Sequence, residues 1–98
     1  MTLEEFAAWA RAFAERHPAG DEERTLVHLA LGLARESGEA MELIQKRLRD
    51  GDWDRERAAD ELGDVAYFWI RLCLAAGLDP TAVLAASAGK AERKAKLH

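Results

Sequence analysis

The chain has 98 residues, 49% of them hydrophobic and 33% charged, with a formal charge of −4. That length suits a single domain over residues 1–98, with a modest core that a second copy would enlarge. Four acids are singled out below; the remaining acids equal the 14 basic residues in number, which leaves no basic excess for a nucleic-acid surface. One cysteine, Cys73, excludes a disulfide framework or a CxxC metal site and reads as a small buried hydrophobe in a reducing compartment. The amino terminus MTLEEFAAW carries acids where a secretion signal carries bases. No apolar run approaches the roughly 20 residues of a membrane-spanning helix. The expectation is a cytoplasmic protein with no membrane or nucleic-acid partner.

The first predicted element is a helix from Thr2 to Arg16. Thr2 and Glu5 form a capping-box pattern, and Phe6, Trp9, Ala10 and Phe13 make one apolar stripe. Such a stripe serves core or subunit packing, or places Trp9 or Phe13 against a nucleobase. The sequence HisProAlaGly at 17–20 ends it.

The second helix runs from an Asp21 cap to about Arg49, with Gly32 and Gly38 as positions where it can bend. Its main stripe is Leu26, Leu29, Leu33, Ala40, Leu43 and Ile44, and Glu36 falls at the margin between Leu29 and Leu43. Val27, Leu31 and Met41 lie off that stripe, so the helix is expected to meet two neighbours. Gly38 is expected to admit another backbone or metal-bound waters closely. His28 has no second His or Cys beside it and reads as a structural or surface residue. Residues 49–54 form a turn in which Gly51 suits a helix end and Asp52 or Asp54 a cap. Its acids lack the spacing of a calcium loop.

The third helix spans Arg55 to Ala76. Glu61 falls inside the stripe of Val65, Trp69 and Leu72, between Phe68 and Leu72 on the wheel, and Asp64 lies just outside Phe68. Tyr67, Ile70 and Leu74 occupy the opposite face. A helix apolar nearly all round belongs at the centre, buried between its own protomer and a partner. The fourth helix starts at Asp79-Pro80 and reaches about Lys96. Its basic end, with Lys90, Arg93, Lys94 and Lys96, is either a solvated helix terminus or a phosphate-binding arm.

Glu36 with Glu39, and Glu61 with Asp64, are each spaced i, i+3, so each pair projects from one helix face. If the two stripes pack together, all four acids converge at one edge of the core. Clustered carboxylates must be protonated, paired with a base or bound to a cation. A hard divalent cation fits, Mg²⁺ with Mn²⁺ as a substitute, because it takes oxygen ligands and bridges to phosphates.

The stretches GLARESGEAMELIQK and DELGDVAYFW resemble the two acidic motifs of the MazG-like, all-α nucleoside triphosphate pyrophosphohydrolases, each with a Gly (Gly38, Gly63) before an acid. The resemblance covers about residues 26 to 94. It implies an all-α helical bundle of about four helices per protomer, completed by oligomerisation as a dimer or tetramer. It implies Mg²⁺-dependent hydrolysis of (deoxy)nucleoside triphosphates to the monophosphate and pyrophosphate, with water attacking the α-phosphorus. Glu36, Glu39, Glu61 and Asp64 would ligate metal, and Glu36 or Glu39 would also orient the water as general base, its pKa raised by like charges. Lys90 and Arg93 match a substrate-binding pattern in which Ser87 stands where relatives carry Asn. Arg35 stands where many relatives carry a further Glu, which leaves fewer acids for a second or third metal. Two alternatives are a phosphoribosyl-ATP pyrophosphohydrolase, which shares the fold, and a non-enzymatic helical interaction module.

Overall fold

The computed structural model describes residues 1–18 and 20–97. Ala19 of the predicted 17–20 turn, and His98, lie outside the described residues. The described chain is all-α, with four helices and no strand: α1 Leu3–Arg16, α2 Glu22–Asp50, α3 Arg55–Ala75 and α4 Pro80–Leu97. None of these is long and apolar enough on its own to cross a membrane.

Local chemistry sets the boundaries. Thr2 and Glu5 form the reciprocal capping box, each closing on the other's backbone N–H. Asp21 and Asp54 accept hydrogen bonds from the N–H groups of Arg24 and Arg57, satisfying donors that the first turns of α2 and α3 leave open. Gly51 ends α2 with φ +76°, a left-handed conformation in which a side chain would be strained. α2 passes through Gly32 and Gly38 as one helix of 29 residues.

α2 and α3 pack antiparallel, because the Phe68 ring lies over Gly32 while Glu61 meets Glu36. Within the chain, a close approach occurs at Gly32, under a ring rather than a backbone. A Cβ at Gly32 would collide with the Phe68 ring, whereas a Cβ at Gly38 would meet nothing within 4 Å. A helical wheel does not show which glycine faces a ring on the neighbouring helix; that depends on the axial register of α2 against α3. Farther along, Leu29, Leu43 and Ala58 are buried.

The opposite face of α3 is covered by α1. Ile70 is fully buried with Ala7 and Ala10, and Phe6, Trp69 and Leu74 pack around them. The aromatic stripe of α1 continues onto α3. Trp9 stacks between Phe6 and Phe13 and reaches Tyr67 at 6.1 Å between centroids. Cys73 is buried, as expected, and burial pushes its thiol pKa up.

α3 is thus the central helix, in contact with α2, α1 and α4, while among the described residues α2 packs on α3 alone. The axis turns by 108° from α3 into α4, so α4 splays away and does not close a bundle over α2. The radius of gyration is 15.9 Å, against about 13 Å for a compact chain of this length. The uncovered apolar surface therefore falls mainly on α2 (Val27, Leu31, Met41, Ile44, Leu48), and Leu62 is its main counterpart on α3. The sequence pattern placed it on both helices, through Val27, Leu31 and Met41 on α2 and through the all-round apolarity of α3. Little of it remains on α3 because α1 and α4 already cover the second face of that helix.

Candidate metal site

Glu36 and Glu39 project from the middle of α2, and Glu61 projects from α3 directly opposite. One carboxylate oxygen from each lies within 4.8 Å of the other two. Glu36 and Glu61 are buried, at 8% and 9% exposure, and Glu39 is half-buried. Three of the four acids predicted to converge therefore do so. Asp64, one turn beyond Glu61, stands outside this cluster but remains half-buried beside it. Burial first, and then the charges of Asp60, Glu36 and Glu39, push its pKa up, while Arg35 opposes them.

Glu61 is the most strained member electrostatically. Its Oε2 is buried and has no hydrogen-bond partner. Carrying a proton, Glu61 donates to Glu36 first and to Glu39, and with desolvation and the charges of the two neighbours this raises its pKa to about 7. Glu36 moves the other way: accepting from Glu61, with help from Arg35 and Glu39, it is held below the ordinary carboxylate range despite its burial. Sequence reasoning gives a raised value to Glu61, the acid set deepest among apolar neighbours, and to Glu36 or Glu39 as the base. The structure gives it to Glu61, whose buried carboxyl meets both Glu36 and Glu39.

Arg35, marked in the sequence only as a replacement for Glu, is a cation in contact with this site. Its Nε and Nη2 lie 3.4 and 3.3 Å from Glu36 Oε1, and its guanidinium carbon is 5.8 Å from the centroid of the Phe68 ring. Adjacent helical positions do not face one another, so the wheel hid a contact that a long side chain makes by folding back. Lys90 and Arg93 are exposed on α4, and α4 makes no contact with α2 among the described residues. One chain does not bring them to the acids. Ser87 is exposed on the same helix. His28 is an exposed residue, as expected, while Trp9 and Phe13 belong to the α1–α3 aromatic cluster.

The donor set fits a divalent cation. Three converging carboxylates, one with a buried oxygen that nothing satisfies, offer hard ligands and an excess of negative charge. A buried polar atom left without a partner is costly, and a cation removes that cost. A scan of the chain against protein-family models matched none, and searches of curated proteins and of solved structures found no match.

Proposed function

We propose that the chain is a Mg²⁺-dependent hydrolase that splits nucleoside triphosphates, deoxy or ribo, into the monophosphate and pyrophosphate. The observation that supports this reading is Glu61, with a buried partnerless Oε2, converging with two further carboxylates across the α2–α3 groove. The choice of reaction rests on the resemblance of the two acidic motifs. Glu36, Glu39 and Glu61 would hold the cation, and Asp64 would join from the rim; Mn²⁺ would substitute. Bound there, the cation supplies neutralisation of the triphosphate and acidification of a water. Glu36 or Glu39 would orient a water toward the α-phosphorus and accept its proton as the bond to pyrophosphate breaks. Lys90 and Arg93 are the outer-phosphate ligands of this reading. With α4 away from α2, they would reach a given acid cluster from a second copy.

The test is a panel of nucleoside triphosphates incubated with Mg²⁺ and resolved for products. Monophosphate and pyrophosphate are expected for at least one nucleotide. Orthophosphate released without added pyrophosphatase, or no turnover across the panel with either Mg²⁺ or Mn²⁺, would refute the proposal.

The same reading makes the protein a homo-oligomer, a dimer or tetramer. Val27, Leu31, Ala34, Gly38, Met41, Gln45 and Leu48 recur at alternating steps of four and three along α2, and all are exposed. That is the spacing of a helix–helix seam, and Gly38 at its middle leaves room for a partner's backbone. Sedimentation at micromolar concentration should give at least a dimer. Leu31→Glu with Met41→Glu should shift it toward monomer. A compact, stable monomer from the unsubstituted chain would remove oligomerisation from the account.

A further inference from the structure

Arg35 has an unusual position for an ion-paired residue. Its two contacts with Glu36, at 3.3 and 3.4 Å, are longer than the roughly 2.7–2.9 Å of a strong guanidinium–carboxylate bond. Both go to a single oxygen, so the planar fork is not matched to its partner. No other hydrogen bond or ion pair involving Arg35 is formed among the described residues, and its side chain is 58% exposed. Yet it is not adrift: the Phe68 ring, itself seated on Gly32, lies under the guanidinium. Arg35 also bears on Asp64, whose pKa it lowers. It is the one cation paired with the acid cluster among the described residues, because Lys90 and Arg93 sit on a helix that does not reach α2.

We infer that Arg35 is a phosphate ligand of this site, a resident positive charge standing beside the carboxylates and gripping the polyphosphate of the substrate directly. The inference rests on the proposed triphosphate reading. When Glu36 turns its oxygens to a cation, the weak Arg35 contact is the one given up. The fork is then available at the solvent side of the groove, with five N–H donors shaped for two phosphate oxygens. Phe68 keeps the guanidinium near the site while it changes partner. The geometry also makes one resident positive charge part of the site's neutralisation, so fewer bound cations are needed to offset the triphosphate.

The experiment uses the intact chain in its native oligomeric state, with inorganic tripolyphosphate as a probe that needs neither base nor turnover. Binding of Mg²⁺–tripolyphosphate, and of Mn²⁺ alone, is measured by calorimetry for the parent, Arg35→Ala and Arg35→Lys. Arg35→Ala should weaken tripolyphosphate about tenfold or more, the scale of lost charge-assisted hydrogen bonds. It should leave Mn²⁺ alone bound as tightly or more tightly, since a positive charge has been removed from beside the cation. Arg35→Lys should fall between, keeping the charge without the fork. Tripolyphosphate affinity within twofold of the parent in Arg35→Ala would overturn the inference. So would loss of Mn²⁺ and tripolyphosphate together in both variants, which would make Arg35 a structural prop. A parent that binds Mn²⁺ and hydrolyses nucleotides while ignoring Arg35→Ala sinks this inference alone; a parent that binds no Mn²⁺ sinks the reading beneath it as well.

Discussion

Glu61→Gln is expected to abolish nucleotide hydrolysis while leaving the metal-free protein at least as stable as the parent. Glu61 is buried against Glu36 and Glu39 with one oxygen unsatisfied. Its pKa of about 7, against an ordinary value of 4.5, means that the folded chain holds a proton the unfolded chain releases. The sign follows from linkage. A group with a raised folded-state pKa contributes stability that is complete below its ordinary pKa and is lost as pH rises through the folded value. The metal-free parent should therefore melt higher near about pH 5 than near about pH 8. Asp64, also raised, acts in the same direction, while Glu36, held low, acts in the opposite one at acid pH. Gln is neutral throughout, so the variant should lose most of the decline between those two conditions. It also deletes an anionic ligand, so the rise in melting temperature on adding Mg²⁺ should shrink sharply. Removing a direct ligand should cost at least the roughly 10–100-fold in metal affinity or activity that even supporting residues cost. Glu42→Gln, an exposed acid on α2, is the control and should show none of these effects. If Glu61→Gln melts and turns over like that control, the metal site is not at Glu61.

Gly32→Val should both destabilise the fold and impair the site. A side chain at residue 32 cannot share space with the Phe68 ring, so either the ring must move or α2 must separate from α3. Overpacking of this kind costs about 1–3 kcal/mol. Gly32 lies one turn before Glu36 on α2, and Phe68 lies two turns after Glu61 on α3, so a wedge here alters the span across which the carboxylates meet. Denaturant melts and nucleotide turnover give the two readouts. Pairing the change with Phe68→Ala makes room for the valine, so the stability loss of the double variant should be smaller than the sum of the single losses. Additive losses, or a Gly32→Val chain as stable and active as the parent, would show that the ring and the glycine are not in the contact described.

The helices themselves were legible because their ends are written in local chemistry. The Thr2–Glu5 box, the Asp21 and Asp54 caps, Gly51 and the Asp79-Pro80 start all act within a few residues of where they stand. The convergence of Glu36, Glu39 and Glu61 was legible for a related reason: charged residues set into apolar stripes must meet when the stripes pack. Asp64 lay at the edge of its stripe on the wheel, and the structure leaves it at the edge of the cluster.

Sequence alone thus determined the all-α class, the element order and the pair of helices that carry the acids, since each depends on periodicity and capping within a single segment. Tertiary structure decided what depends on register and on long side chains crossing between segments. It set Gly32 under the Phe68 ring, and it brought Arg35 against Glu36 and Phe68. It gave Glu36, and not Glu61, a cationic neighbour, and it left little uncovered apolar surface on α3. It also carried α4, with Lys90 and Arg93, away from α2. A helical wheel ranks faces but is blind to axial offset, to the reach of a long side chain and to which face a third helix has already covered, and those three fix these outcomes.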